Sequence, residues 1–314
     1  MLKMFFSASA YQSHARASAD YRALLATRVA LVERAEDADV IFLHHEPQFY
    51  ASLVESLPRG RHVIAYAVFE AEPLAIELLR GLRCVDEVWT ASHYCVDLFT
   101  AAHPRVRHLP HVVQRAPNID PVALPEGTTN LLHIGFGNRS RKNQRQLRRV
   151  FAALHARDPS LRLVLKDGAH CAAISEPGVV QIRENLSDAQ MTSLYQQCAL
   201  CVSVHHGEGW GLALSDAMLL GVPAVATAYS GNLDYMTSAN STLIPARSEE
   251  IRAEDREHYF RAGMRWGYVD DEAIARGISD GLRARDKCEA ARVAMQAYTP
   301  EAIGERIENL LKGL

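Results

Sequence analysis

The stretch that decides the reading is Cys198-Ala199-Leu200-Cys201-Val202-Ser203-Val204, followed directly by His205-His206-Gly207-Glu208-Gly209-Trp210-Gly211-Leu212-Ala213-Leu214-Ser215-Asp216-Ala217-Met218. The apolar run reads as a buried strand of a parallel sheet. Three glycines then let the chain turn tightly and bring bare backbone close to a ligand. From Leu212 the pattern becomes helical, with Leu212, Met218 and Leu219 available to one buried face. A glycine-rich strand-to-helix turn presents unpaired N–H groups and a positive dipole end, a natural seat for phosphate. Glu208 and Asp216 stand eight positions apart, a little over two helical turns, so the spacing predicts both on one cleft-facing side. A carboxylate inside an anion site repels phosphate, so this pair is better suited to accepting hydrogen bonds from sugar hydroxyls.

Outward from this stretch the chain alternates short apolar strands with helix-period segments, the mark of βαβ units. In the first third, strands are expected at 2–7, 40–44, 62–69, 87–90 and 106–109. Helices are expected at 15–26, 47–57, 73–82 and 93–102, with Pro47 and Pro73 in first turns and Ser92 as an N-cap. A proline-rich, aperiodic linker from Pro110 to Gly127 follows, which places a domain boundary near Asn118. The second half restarts with a strand at 130–135, the run Gly137-Asn138-Arg139-Ser140-Arg141-Lys142-Asn143, and a helix to about Ala156. Basic residues at a helix start oppose its dipole, so Arg139, Arg141 and Lys142 call for a bound anion. Further strands are expected at 161–166, 179–183 and 222–228, with Ser187 near a helix start. Residues 247–261 read as a charged, exposed excursion, and Thr299-Pro300-Glu301 as the start of a closing helix.

The motif Glu208-Gly209-Trp210-Gly211-Leu212 through Asp216-Ala217-Met218, with Gly221-Val222-Pro223 and Ser230-Gly231-Asn232, resembles the donor-site signature of retaining GT-B glycosyltransferases of glycosyltransferase family four. Asp216 stands where that signature has Glu, and Phe136 where it often has Arg. Asn240-Ser241-Thr242-Leu243-Ile244-Pro245 and the Trp266 turn resemble the branch that builds bacterial surface polysaccharides. The resemblance implies an α/β GT-B fold: two Rossmann-like βαβ domains facing a central cleft. Residues 1–118 would form the acceptor side, joined by a C-terminal helix at 299–314 that crosses back, and 119–298 the donor side.

It also implies roles. Arg141, Lys142 and Arg139 would face the diphosphate, with N–H groups near Gly209, Trp210, Gly211 and Leu212. Glu208 would hold the transferred sugar and Asp216 the ribose. Arg183 would lie near the base, and Gly231 and Asn232 would again face the donor. In the first half, Glu70 follows an apolar strand and would orient the acceptor hydroxyl or meet the donor sugar, the plain alternative being an acid at a helix entry. His45 and Glu46 end another strand and are candidate acceptor contacts. Neighbouring residues on a strand point to opposite faces, so His44-His45 and His205-His206 make poor metal pairs, and no metal or other cofactor is expected.

Composition narrows the classes. With 314 residues, 48% hydrophobic, the chain has room for two cores. A net charge of -3 argues against nucleic acid as a partner. The six cysteines lack framework spacing, and Cys198 and Cys201 read as core residues, which suits a reducing cytoplasm, with peripheral membrane contact left open. The absence of a Gly-x-Gly-x-x-Gly after the first strand counts against a dinucleotide dehydrogenase. The expected activity is metal-independent transfer of a hexosyl group, mannose from GDP-mannose favoured, from a nucleotide sugar to a glycan, oligosaccharide or lipid-linked acceptor. The competing reading is a non-catalytic sugar-nucleotide-binding partner on the same fold.

Overall fold

The structure, a computed structural model, describes residues 1–9, 12–135 and 140–314. Phe136, Gly137, Asn138 and Arg139 lie outside the described residues, so the expectation for Arg139 is not addressed by it. Two compact units emerge, one of Met1–Val112 with Ala297–Leu314, the other of Val113–Gln296. The passage between them falls at Val112, inside the proline-rich linker.

The first unit runs β1 (Lys3–Ala8), α1 (Gln12–Ala26), β2 (Ala30–Val32), β3 (Val40–His44), α2 (Tyr50–Glu55), β4 (His62–Tyr66), α3 (Ile76–Leu82), β5 (Glu87–Thr90), α4 (His93–Thr100) and β6 (Val106–His108). All strands are parallel, in the order β2-β1-β3-β4-β5-β6. Both faces are covered, which is why β3, Val-Ile-Phe-Leu-His, is buried along its whole length. Phe6 stacks on Phe42 at 5.3 Å and Trp89 meets the same ring edge-on at 5.5 Å. Ser92 caps α4, its hydroxyl accepting from Cys95 N at 3.3 Å. Pro73, expected in a first turn, instead precedes α3, which starts at Ile76.

The second unit runs β7 (Thr129–Ile134), α5 (Gln144–Arg157), β8 (Leu161–Lys166), β9 (Val179–Ile182), α6 (Asp188–Gln196), β10 (Leu200–Ser203), α7 (Leu212–Leu219), β11 (Ala224–Ala228), β12 (Thr242–Pro245), β13 (Arg247–Glu250), β14 (Arg265–Tyr268), α8 (Asp271–Gly281) and α9 (Cys288–Met295). Its parallel sheet has the order β12-β11-β10-β7-β8-β9. Successive residues of each strand serve opposite cores, as a period of two requires. Leu131, Leu163, Leu165 and Val202 pack on one side with Val150, Phe151, Ile274 and Ile278, whereas Leu132, Val164 and Cys201 pack on the other with Leu194, Tyr195 and Ala217. Residues 247–261 are not a plain excursion, because β13 pairs antiparallel with β14 from Arg247↔Tyr268 to Glu250↔Arg265. Its charged residues Arg247 and Glu250 are exposed on this two-stranded ribbon, and the buried Trp266 and Tyr268 come from β14. The chain closes with α10 (Pro300–Leu311), capped by Thr299; it packs on α1 of the first unit, buries Ile303 and Ile307, and places Glu308 3.2 Å from Arg28 just past the end of α1.

Both sheets have one place where strand order reverses, between β1 and β3 and between β7 and β10. In open parallel sheets, loops leaving the carboxyl ends of two such strands part to opposite faces and leave a crevice for ligand.

Candidate donor and acceptor sites

At the β7/β10 switch point two loops are laced together. The loop after β7 ends in a short turn, Ser140–Lys142, and Asn143 takes a left-handed conformation (φ 52°) before α5 starts. The loop after β10 carries Gly207-Glu208-Gly209-Trp210 into α7. Three bonds join them: His206 N donates to Arg141 O at 2.8 Å, Arg141 Nη1 to Gly207 O at 2.8 Å, and Asn143 Nδ2 to Val204 O at 3.1 Å.

The result is a three-charge cluster. Lys142 Nζ lies 2.5 Å from Glu208 Oε1 and Arg141 Nη1 lies 3.1 Å from Oε2. Burial alone pushes the Glu208 carboxyl up, but Lys142 and Arg141 outweigh it and hold the group well below the usual carboxylate range. Glu208 is therefore ionised and pairs with the two cations whose place at a helix start needed a reason. It stands ahead of α7 rather than on it, so the eight-residue spacing to Asp216 is not the two-turn helical spacing expected. The side chain still reaches the helix start: Glu208 Cγ lies 3.7 Å from where a Cβ on Gly211 would sit. Gly211 is left-handed (φ 93°) and gives α7 no side-chain cap, so the uncapped dipole end lies next to the Glu208 side chain.

Ser230-Gly231-Asn232 holds this loop rather than offering free donors. Ser230 Oγ accepts from Glu208 N at 2.8 Å, and Gly231 N donates to Glu208 O at 2.9 Å. The N–H of Gly231, expected to face the donor, is thus engaged. Asn232 is wholly buried; its Nδ2 donates to Thr227 O at 3.1 Å and its Oδ1 accepts from His205 Nε2 at 3.2 Å. Trp210 is buried too, with its indole N–H on Ser215 Oγ at 3.2 Å and its ring 4.7 Å from Tyr235. Gly209 is buried beside it, while Leu212, the first residue of α7, is half-buried.

Two histidines underlie the cluster. His205 is fully buried, and burial pushes it down to about 4, leaving it neutral. His133, at the end of β7, is likewise pushed down to about 4 by burial. Its Nδ1 donates to Val202 O at 2.9 Å, which fixes the tautomer and leaves Nε2 an acceptor with no partner among the described residues.

Asp216 is buried in an ion pair. Its Oδ2 lies 3.6 Å from Arg115 Nη1, and each side chain is only 4% exposed. Arg115, in the linker, also approaches Asp188 Oδ1 at 3.5 Å and donates to Asp188 O at 3.1 Å. Sequence reasoning missed it: a single arginine among prolines carries no pattern. Arg183 is half-buried, its Nη2 donating to Ala169 O at 2.8 Å across the loop that follows β8.

The first unit gathers its own polar set at the β1/β3 switch point. His45 Nε2 is 2.8 Å from Ser7 Oγ, and Glu46 Oε1 accepts from Ser9 Oγ at 3.3 Å. The buried Tyr50 hydroxyl lies 2.6 Å from both His45 O and Tyr66 O, with one proton to share between these two acceptors. Glu70 is half-buried after the neighbouring strand β4, near enough for its charge to raise the buried Cys95 thiol, which desolvation raises most.

Residues 118–255 match the family described as glycosyl transferases group 1. The matched residues lie within the second unit. No sequence match is found among curated proteins. Solved structures similar over the whole chain include sucrose-phosphate synthase from Thermosynechococcus elongatus, at 14% identity and a TM-score of 0.70, covering 100% of this chain and 99% of that one. Anabaena HepE, solved with UDP-glucose, matches at 14% identity and a TM-score of 0.70, covering 100% of both chains. A lipopolysaccharide outer core galactosyltransferase, WaaB, matches at 11% identity and a TM-score of 0.68, again over 100% of both. The fold is α/β of the GT-B type, built from two Rossmann-like units.

Proposed function

We propose that the chain is a retaining, metal-independent hexosyltransferase that moves a sugar from a nucleotide-diphosphate donor to a sugar hydroxyl of a glycan, oligosaccharide or lipid-linked acceptor. The observation that carries this is Glu208 held between Arg141 and Lys142 beside the uncapped start of α7, at the β7/β10 switch point. A donor diphosphate takes over the two cations, which then neutralise the charge that develops on the leaving group. Glu208, freed from them, turns its carboxylate to the hydroxyls of the transferred sugar. The acceptor proton passes to a donor phosphate oxygen on the face from which the leaving group departs, so no side-chain nucleophile is needed. Residues 1–118 with 299–314 form the acceptor side, where Glu70, His45 and Glu46 meet the acceptor, and 119–298 the donor side. No cofactor beyond the donor takes part.

Resemblance favours GDP-mannose, yet HepE was solved with UDP-glucose, and other structures of this fold, such as a pneumococcal O-GlcNAc transferase, were solved with UDP. A uridine donor is therefore the first to try and GDP-mannose the second. No described helix is long and apolar enough to cross a membrane.

The test follows the anomeric proton by NMR while the protein consumes UDP-glucose, UDP-galactose or GDP-mannose in the presence of a chelator. The expected first product, of transfer or slow donor hydrolysis, keeps the α configuration of the donor. A β product, or turnover that needs added metal, overturns the mechanism. Binding without turnover on any acceptor favours the non-catalytic partner, a reading to which the buried Asp216 lends weight.

A further inference from the structure

The position that the family resemblance gives to ribose recognition is occupied in this chain by a closed ion pair. Three observations set it apart from an open hydroxyl-binding carboxylate. Asp216 is one methylene shorter than the Glu expected there, and its side chain is 4% exposed. Its partner Arg115 is equally buried, its guanidinium 5.9 Å from the Tyr195 ring and tied to the backbone of Asp188. The carboxylate is also near enough to the buried Cys201 thiol of β10 to raise it, after burial itself and Cys198. To reach a ribose, Asp216 must give up Arg115, whose remaining acidic neighbour is the exposed Asp188, and trade a buried ion pair for hydrogen bonds to neutral hydroxyls.

We infer that the Arg115–Asp216 pair closes the ribose subsite, so that this chain takes deoxyribonucleotide donors, such as dTDP-sugars, as readily as their ribonucleotide counterparts. The inference rests on the donor-site reading above. A charged acceptor open to a hydroxyl distinguishes ligands with and without that hydroxyl, because hydrogen bonds to ionised groups are the stronger ones. A carboxylate already neutralised and buried loses that distinction. Nucleotide affinity then comes from the diphosphate on Arg141 and Lys142 and from the base.

The experiment is calorimetric titration of the full chain with UDP and with 2′-deoxy-UDP. The expected dissociation constants agree within about threefold. Deoxy-UDP weaker than UDP by about tenfold or more overturns this inference alone. Failure of both to bind overturns the donor-site reading and this inference with it. In Arg115→Met the carboxylate is released, and the ribonucleotide preference is expected to rise to about tenfold with the deoxynucleotide affinity little changed. A ratio that stays at unity in this variant, with its melting curve intact, overturns the role given to Arg115.

Discussion

Glu208 is an ionised carboxylate inside the second unit, with Lys142 and Arg141 beside it and the neutral His205 and His133 close behind. These groups give stability a definite pH dependence. Both histidines have folded values near 4 against 6.5 for an exposed imidazole, so between those limits the unfolded chain binds protons that the folded chain refuses. Stability therefore falls as pH drops from 6.5 to 4, by on the order of 1–3 kcal/mol for each buried histidine. Glu208 acts in a lower window. Its folded value lies below 4.5, so its contribution is complete above 4.5 and is lost as pH falls below it. Denaturant titrations at pH 7, 5.5 and 4.5 check the first window: the midpoint should fall stepwise, and the fall should be smaller in His133→Asn. An equal fall in the variant contradicts the assignment. At this scale the sequence points to Glu208, Arg141 and Lys142, because charge next to glycine at a strand-to-helix turn needs a partner, and in the structure these groups partner one another. It does not show His133, whose residue type at a strand end looks like any core histidine, nor Arg115, which becomes meaningful only when the linker folds over α7's Asp216.

The glycine loop after β10 shows how elements rather than single residues set the site. A Cβ on Gly231 would sit 2.3 Å from Gly209 O and 2.8 Å from Glu208 O, so backbone meets backbone there and nothing flexible can yield. Gly231→Ala is expected to push the Glu208 loop off Ser230, lower the thermal midpoint by several degrees, and weaken nucleotide binding at least tenfold, a combined loss of about 2 kcal/mol or more. Unchanged melting and binding would contradict the account of how Glu208 is held. Strand and helix positions are legible here because apolar periodicity is strong: β3, β5 and β8 fall at the limits expected, and the caps at Ser92, Ser187 and Thr299 form as their sequences suggest. The short β2 and the β13–β14 ribbon escape that reading. Three residues cannot display a period, and a charged ribbon buried on one side only has the composition of a loop.

At the scale of the whole molecule, periodicity predicts two βαβ units and a linker but not which strands are neighbours. Strand order comes from the sheets, and it explains why the polar residues collect where they do. His45 and Glu46 leave β3 beside β1, while Lys142 and Glu208 leave β7 and β10, so each unit gathers its groups at the carboxyl end of its own switch point. The glycosyltransferase group 1 match over 118–255 falls on the unit that holds the charge cluster. The central claim is that this cluster is the diphosphate seat, occupied by Glu208 until a donor arrives. It is tested most directly by titrating UDP and GDP into the full chain, Lys142→Ala and Glu208→Gln, with heat as the readout. The account predicts one saturable site, at least tenfold weaker in Lys142→Ala and about three- to tenfold tighter in Glu208→Gln, where the competing carboxylate charge is gone. No binding at millimolar nucleotide, or the same affinity in all three proteins, would contradict it.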